Sequence, residues 1–362
     1  MLNSIKSLTM RKSISSQKTR RWQLTLLALC ILLIFSIILS ISIGYFSISF
    51  PTIIKAFLTN TPGLNRLFDF TVSPTETAVI FQVRFPRALC AALAGAALAI
   101  AGTAYQGLFR NPMADPYTIG ASSGAAVGAT TAIILGVNMT IIGINTMQIF
   151  AFIGCLITVL GVYTISRVGT KVPVQTLLLS GIAVTILLSA IVNSYHSLFP
   201  EQFRQSAFWL MGSFSYTVWA DIWSALPFVI GGSIIIYMYA RDLNLLALGE
   251  SEATHLGVDL EKMKKVVLVA SAFITAAAVS VSGLIAFVGL IIPHITRLIL
   301  SPDHRILIPA AALMGATFLI LCDILARVVI APSELPVGII TAVCGGPFFI
   351  YLMRRKKKID AS

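Results

Sequence analysis

Two residues of opposite charge stand inside an otherwise apolar stretch near the end of the chain. Asp323 and Arg327 are four residues apart, a spacing that puts two side chains on the same face of a helix. The pair fits a structural ion pair and fits a functional one equally well, because charges inside membrane spans are costly and usually serve a function. His294 follows Pro293 and has no second ligand nearby, so we interpret it as a packed, hydrogen-bonded side chain rather than a metal ligand.

The chain lacks the motifs with which several classes of enzyme do their chemistry. It has no G-x-x-x-x-G-K-[ST] phosphate loop, no H-E-x-x-H zinc motif and no G-x-S-x-G nucleophile elbow. Its five cysteines lie in apolar segments without paired spacing, which indicates packing residues rather than disulfides or a metal site. They are Cys30, Cys90, Cys155, Cys322 and Cys344. We therefore expect a chain that is not an enzyme, has no ATPase site of its own and binds no cofactor or metal.

The composition indicates that lipid is the solvent for most of this chain. The 362 residues are 57% hydrophobic and 11% charged, whereas a soluble domain carries about 25% charged residues. One membrane-spanning helix needs about 20 consecutive apolar residues. We therefore predict an all-α integral membrane protein with about ten transmembrane helices. The predicted spans are 22–46, 86–108, 116–137, 147–167, 174–198, 218–240, 265–283, 284–300, 306–330 and 337–353.

The positive charges predict which side of the membrane each loop occupies. Cytoplasmic loops of membrane proteins are enriched in Lys and Arg. With the N-terminus inside, 20 of the 26 basic residues fall on the cytoplasmic side. The six on the outer side are Lys55, Arg66, Arg84, Arg87, Arg204 and Arg327. We predict a multi-pass protein of the cytoplasmic (inner) membrane with both termini in the cytoplasm.

The same layout defines the domain organisation. We predict a cytoplasmic N-terminal tail at 1–21, a single ten-helix domain at 22–353 and a basic cytoplasmic C-terminal tail at 354–362. The first apolar stretch is too long for a signal-peptide core and has no small-residue cleavage site, so we interpret it as a retained helix.

A short amphipathic helix is predicted in the long cytoplasmic loop at 241–265. Glu250 and Glu252 lie where the helix dipole favours acidic residues, and Gly257 suits a C-terminal cap. Leu248, Ala253 and Leu256 then form an apolar face in an aqueous loop. Such a face either docks on a partner protein or packs back on its own helix bundle. The sequence leaves both possibilities open.

Two further patterns concern the spans themselves. Small residues recur at four-residue spacing (Ala91, Gly95 and Ala99, then Gly120, Gly124 and Gly128), which favours close packing of helices in lipid over a direct role in a pore. The segment 111–116 reads N-P-M-A-D-P and interrupts two apolar spans. Its prolines and Asx residues are typical of a turn, but irregular backbone beside spans also builds transport pathways.

Four stretches together resemble the iron-siderophore, haem and cobalamin permeases of binding-protein-dependent ABC importers. The first two are R-F-P-R at 84–87 with A-G-A-A-L-A at 94–99, and N-P-M-A-D-P at 111–116 with G-A-S-S-G-A at 120–125. The others are L-G-E at 248–250 with L-G-V at 256–258, and F-V-G-L-I-I-P-H at 287–294 with L-P-V-G at 335–338. Departures from the family pattern are small. They are Met113 in place of the usual leucine, and Leu284 and Ala286 where proline and glycine are common.

The resemblance implies a ten-helix type II ABC importer permease and assigns roles to particular residues. The segment 249–257 matches the coupling helix that docks on the ATPase subunit, with Gly249, Glu250, Ala253, Leu256 and Gly257. Three arginines match residues that face the periplasm and pair with acidic residues of the binding protein, namely Arg84, Arg87 and Arg327. Four residues match the cytoplasmic end of the pathway, namely Asn111, Met113, Val174 and Gln175. The fifth span matches the helix that lines the passage between two permease copies.

The resemblance also implies the partners and the substrate class. The expected partners are a second permease copy or paralogue, two ATP-binding subunits, a periplasmic or lipid-anchored binding protein and membrane lipid, with no nucleic acid. The expected substrate is an iron chelate, either a ferric siderophore or haem, with cobalamin second and a molybdate-type oxyanion third. An ion-coupled secondary transporter is the alternative from another class. It needs acidic residues in the spans, and these are nearly absent apart from Asp323.

Overall fold

The computed structural model describes residues 2–44, 47–60, 70–137, 139–141, 144–169 and 171–360, which are almost entirely helical. Over these residues the α-helices are α1 Leu2–Ser42, α2 Phe50–Asn60, α3 Pro74–Ala78, α4 Phe85–Leu108, α5 Ala121–Ile134, α6 Thr146–Ile165, α7 Val174–Leu198, α8 Phe203–Leu210, α9 Trp219–Met238, α10 Ala240–Leu246, α11 Glu250–His255, α12 Leu260–Ser282, α13 Val288–Ile299, α14 His304–Val328 and α15 Val337–Asp360. A π-helix (Val79–Arg84) leads into α4, and a 3₁₀-helix (Pro116–Ile119) precedes α5. Two short antiparallel strands, β1 Thr140–Ile141 and β2 Ile144–Asn145, join α5 to α6.

The predicted all-α membrane fold is confirmed. In the described part of the chain, seven helices are long and apolar enough to cross a membrane, and three shorter apolar helices accompany them. The shorter ones are Ala121–Ile134, Val288–Ile299 and Val337–Tyr351. These ten helices coincide with the ten predicted spans, while the orientation of the chain in the membrane stays a prediction.

Both predicted tails continue the helices of the neighbouring spans. Helix α1 begins at Leu2, and α15 continues to Asp360 through most of the predicted tail at 354–362. A run of basic residues does not end a helix, because Lys and Arg are good helix formers. In the most apolar 18-residue stretch of Thr19–Ser42 only 17% of the residues are buried, which is the pattern of a peripheral helix facing lipid.

Helix α4 forms the centre of the bundle and packs against α9, α12, α13 and α14. A β-carbon at Gly95 would collide with the backbone of Gly315 on α14, and one at Gly102 with the backbone of Gly289 on α13. Helices α5 and α6 meet in the same way, with Gly124 against the carbonyl of Gly154. The small residues therefore serve close packing of backbones, as predicted from their spacing.

Two predicted spans are interrupted rather than continuous. The span predicted at 116–137 consists of the 3₁₀-helix followed by α5, with the break at Gly120. The span predicted at 284–300 is helical only from Val288, after a non-helical stretch bounded by Gly283 (φ 70°) and Phe287 (φ 71°). Hydropathy could not reveal the break before α13, since G-L-I-A-F at 283–287 is as apolar as the helix beside it.

The two interruptions lie against each other. The backbone N–H of Ile285 donates to the Tyr117 hydroxyl at 3.2 Å, and a β-carbon at Gly289 would lie 2.9 Å from Pro116. Irregular backbone within the bilayer requires protein partners for its polar groups, and here the bundle supplies one.

Candidate functional site

A cluster of charged side chains lies at the end of the bundle where α4 begins and α14 ends. Arg87 donates to both carboxylate oxygens of Asp323, at 2.8–3.0 Å, and forms an ion pair with Glu334 at 2.9 Å. Arg327 forms a second ion pair with Asp323 at 3.2 Å, one helical turn away. The same-face pairing of Asp323 and Arg327 is confirmed. Glu334 and Arg87 were not predicted as their partners.

Two of the arginines also cap the C-terminal end of α1. The Arg84 guanidinium donates to the carbonyl oxygens of Ile41 and Ser42 at 2.7 and 3.1 Å. Arg327 donates to the carbonyls of Ser40 and Ile43, both at 3.1 Å. The last carbonyls of a helix lack intrahelical partners and carry partial negative charge, so positive side chains stabilise them.

These contacts bury the arginines that were expected to meet the binding protein. Arg84, Arg87 and Arg327 were expected to face the periplasm and pair with its acidic residues, but they are only 6%, 5% and 6% exposed. The cause is the set of acidic and carbonyl oxygens around them, which the motif at 84–87 does not reveal. Their docking role stays a prediction. Glu334 is the accessible edge of the cluster, with 36% of its side chain exposed.

Glu334 is held in its charged form by its neighbours. Partial burial acts to raise the pKa of Glu334, but the Arg87 guanidinium and the Ser215 hydroxyl together hold that pKa below its ordinary value. The hydroxyl donates to the Glu334 carboxylate at 2.7 Å. At neutral pH the cluster therefore presents a carboxylate at its open edge.

Helix α11 is the short helix predicted in the loop at 241–265. It runs from Glu250 to His255 and is bounded by Gly249 (φ 142°) and Gly257 (φ 87°). Both glycines adopt backbone conformations that side chains oppose. The N–H of Gly257 donates to the carbonyl of Thr254, so the predicted C-terminal glycine cap is confirmed.

One face of α11 packs on the bundle and the other is open. Ala253 is completely buried, so its predicted place on the exposed apolar face is wrong. Lys264 on α12 forms an ion pair with Glu250 at 2.9 Å and fixes the helix from the same side. Leu248 and Leu256 remain 64% and 56% exposed. Self-packing and an exposed apolar face, which the sequence offered as alternatives, therefore occur together.

The predicted gate residues lie on two separate segments. The Asn111 side chain accepts from the N–H of Met113 at 3.0 Å, so the segment 111–116 forms the predicted Asx turn. Asn111, Met113 and Val174 are half-buried, and Gln175 is exposed at the first turn of α7. The two segments are linked where Gly181 of α7 packs against the backbone of Thr118. Whether the four residues narrow a pathway stays a prediction.

The match to known proteins covers nearly the whole chain. The FecCD transport family model matches residues 32–355. The chain belongs to the FecCD transport family.

This FecCD-family permease is similar to importer permeases over most of their length. It is 45% identical to a cobalamin import system permease protein of Halobacterium salinarum, over 80% of this chain and 77% of that one. It is 38% identical to a hemin transport system permease protein of Yersinia pestis, over 91% of this chain and 95% of that one. A solved inward-facing metal-chelate type ABC transporter superposes with a TM-score of 0.77 at 32% identity, covering 91% of this chain and 98% of that chain.

Membership establishes the general role of the chain. It is a multi-span permease subunit of an ABC importer, and permeases of this kind work with ATPase and substrate-binding partners. Among the residues that the structure describes, no group of three or more His, Cys, Asp or Glu side chains could hold a metal ion.

The permease also has a cavity with several polar side chains in its wall, which the sequence did not predict. Its volume is about 770 Å³, and it opens beside α8 and the start of α9. The Gln148 amide donates to Asp221 at 2.7 Å in its wall, and Glu201 and Arg204 line its rim. The polar run at 201–205 between two predicted spans was the available signal, but only the fold brings Gln148 to it.

Proposed function

We propose that this permease pairs with a second copy or a paralogue and forms a central pathway for an iron chelate, either a ferric siderophore or haem. Two ATP-binding subunits drive the transport from the cytoplasmic side. A periplasmic or lipid-anchored binding protein delivers the chelate from the other side. We place both termini in the cytoplasm and the permease in the cytoplasmic (inner) membrane.

The observation that carries the substrate class is the uncharged, exposed helix α7. Its 25 residues contain no Asp, Glu, Lys or Arg. Side chains along it remain open in the single chain, with Leu179 68% and Ile186 67% exposed. An oxyanion pathway is expected to carry positive charges, which α7 lacks. A wall of this kind suits a bulky chelate whose metal charge is already neutralised by its ligands.

Cobalamin is the second candidate, because a cobalamin import permease is 45% identical to this chain. It is also a large metal chelate, so the apolar face of α7 suits it as well. A molybdate-type oxyanion ranks third, because α7 carries no positive charge that would attract an anion.

The coupling and gating roles are part of the same proposal. Helix α11 docks on an ATP-binding subunit through Leu248 and Leu256, while Gly249, Glu250, Ala253 and Gly257 shape the helix and hold it to the bundle. The gate is assigned to Asn111, Met113, Val174 and Gln175. Helix α7 links the two parts of this gate, since Gly181 packs on the segment that follows the Asx turn.

Docking of the binding protein is proposed at the arginine cluster. Because Arg84, Arg87 and Arg327 are buried, an acidic group of the binding protein has to replace an internal partner in order to reach them. Glu334 is the partner most easily replaced, since it is the exposed member of the cluster.

The cluster also argues against an ion-coupled secondary transporter. Asp323 is 1% exposed and accepts hydrogen bonds or ion pairs from two arginines. A coupling carboxylate must exchange protons or ions with the pathway during transport. An acid held this firmly is suited to structure instead.

Transport by the assembled complex tests the proposal. The permease, its ATP-binding subunit and its binding protein are reconstituted in liposomes, and ATP-dependent uptake is measured for ferric siderophores, haem, cobalamin and molybdate. We expect uptake of an iron chelate with saturation at micromolar concentration or below. Uptake of molybdate alone would overturn the substrate class, and ATP-independent uptake driven by an ion gradient would overturn the importer mechanism.

A further inference from the structure

An apolar groove lies between α9 and α12, away from the sites described above. Its volume is about 550 Å³. The sides are apolar, with Val266 and Val269 of α12 facing Ile235 of α9. A β-carbon at Gly231 would meet no atom within 4 Å, so this glycine leaves open space in the floor.

Two unpaired lysines lie at one end of the groove. Lys262 and Lys265 are exposed, one turn apart at the start of α12, and both line it. Within the described part of the chain neither has an ion-pair partner. Lys264, between them, points the other way and pairs with Glu250 of α11. The groove therefore has a positive mouth on the side of the membrane where α11 lies.

Three phenylalanine rings gather at the opposite end. Phe228 and Phe273 stack with their centroids 6.1 Å apart, and Phe152 packs against Phe228 at 4.9 Å. Eleven residues separate Lys262 from Phe273, so at 1.5 Å per residue the groove extends for about 16 Å along α12. Half of a 30 Å hydrocarbon core is about 15 Å. The groove thus has the length of one leaflet.

We propose that this groove binds one anionic phospholipid of the cytoplasmic leaflet. The lipid phosphate lies between Lys262 and Lys265, and an acyl chain follows the groove past Gly231 towards Phe273. Basic pockets between spans on the cytoplasmic side hold anionic headgroups, and each lysine contributes attraction that a neutral headgroup does not receive. A free anion would contact only the two lysines, whereas the length of the groove and the open space at Gly231 suit an acyl chain.

The site lies next to the attachment of α11. The phosphate-binding lysines flank Lys264, which pairs with Glu250 of α11 and with Glu261 of its own helix. A bound lipid phosphate therefore lies close to the ion pair that joins α11 to α12.

Native mass spectrometry of the permease, purified with its partners in mild detergent, tests the site. Phosphatidylglycerol is added back and compared with phosphatidylcholine and with inorganic phosphate. We expect one tightly retained phosphatidylglycerol per permease. The double variant Lys262→Gln/Lys265→Gln should lose about thirtyfold in affinity, from two surface lysines. Gly231→Leu should abolish retention by filling the floor.

Matched controls separate the groove from the rest of the membrane surface. Lys171→Gln removes an exposed lysine elsewhere, and Gly161→Leu fills an equally open glycine position on α6. Both should retain the lipid, and once lipid has been removed all variants should have the melting temperature of the delipidated wild type. Equal retention of phosphatidylcholine, competition by millimolar phosphate or unchanged retention in Gly231→Leu would overturn the proposal. A change in oligomeric mass in Gly231→Leu, in place of lipid loss, would assign the groove to a second copy of the chain.

Discussion

Substitutions on the two faces of α11 should have different effects. Changes on the open face should weaken binding of the ATP-binding subunit, and changes on the packed face should lower the stability of the permease. Leu248 and Leu256 are about three-fifths exposed, whereas Ala253 is completely buried. Replacing both leucines with alanine removes three carbon groups at each position. Burial of one such group contributes about 0.8 kcal/mol, and docking can bury only the fraction that is now exposed. Each leucine therefore contributes about 1.5 kcal/mol to the free energy of binding. The pair amounts to about 3 kcal/mol, or about a hundredfold in the dissociation constant of the ATP-binding subunit.

The assay measures that dissociation constant alongside the melting temperature of the purified permease. Leu248→Ala/Leu256→Ala should weaken binding about a hundredfold and leave the melting temperature unchanged. Ala253→Leu should lower the melting temperature, because a larger side chain has no space beneath α11. Leu135→Ala, at a similarly exposed leucine just after α5, is the control and should change neither quantity. Wild-type affinity in the double alanine variant would refute the assignment of this face to the ATPase.

Three further predictions concern the charge cluster and the topology. Arg87→Met should destabilise the permease by about 3–5 kcal/mol, measured by thermal unfolding, because a buried acid loses a partner, whereas exposed Arg204→Met should have little effect. Since Arg87 lowers the pKa of Glu334, their pair stabilises the fold above pH about 4.3, and this contribution is lost as the pH falls through the lowered pKa. The gap in melting temperature between wild type and Glu334→Gln should therefore close on acidification, and a constant gap would contradict the pairing. In a cysteine-free background, Lys55→Cys should label from outside intact cells and Lys356→Cys should not, although the side chain at 356 lies outside the described residues; the reverse pattern would refute the topology.

Local sequence patterns predicted the elements that depend on neighbouring residues. The ten apolar helices follow from hydropathy, the glycine contacts from four-residue spacing, and the Asp323–Arg327 pair from one helical turn. The limits of α11 follow from the acidic residues at its start and the glycine at its end. In each case the decisive neighbours lie within a few positions along the chain.

Features that depend on distant residues could not be predicted in this way. Arg87 finds Asp323 and Glu334 more than 230 positions away, so nothing local reveals that it is buried. Ala253 faces inwards because of how α11 rotates on the bundle, which six residues cannot specify. The breaks before α5 and α13 are stabilised by contact with each other, and a hydropathy profile has no access to that contact.

The arginines that close α1 set an order for the biosynthesis of this permease. Helix α1 leaves the ribosome first, yet the carbonyls at its end are satisfied by Arg84 and then by Arg327. The second of these is translated almost 290 residues after its acceptor at Ser40. Until then the nascent protein holds its first helix by Arg84 and by the packing of α1 on α2, the π-helix and α4, without α14. Synthesis of the ninth span therefore completes the attachment of the first, and a chain truncated before Arg327 leaves the carbonyls of Ser40 and Ile43 without this arginine.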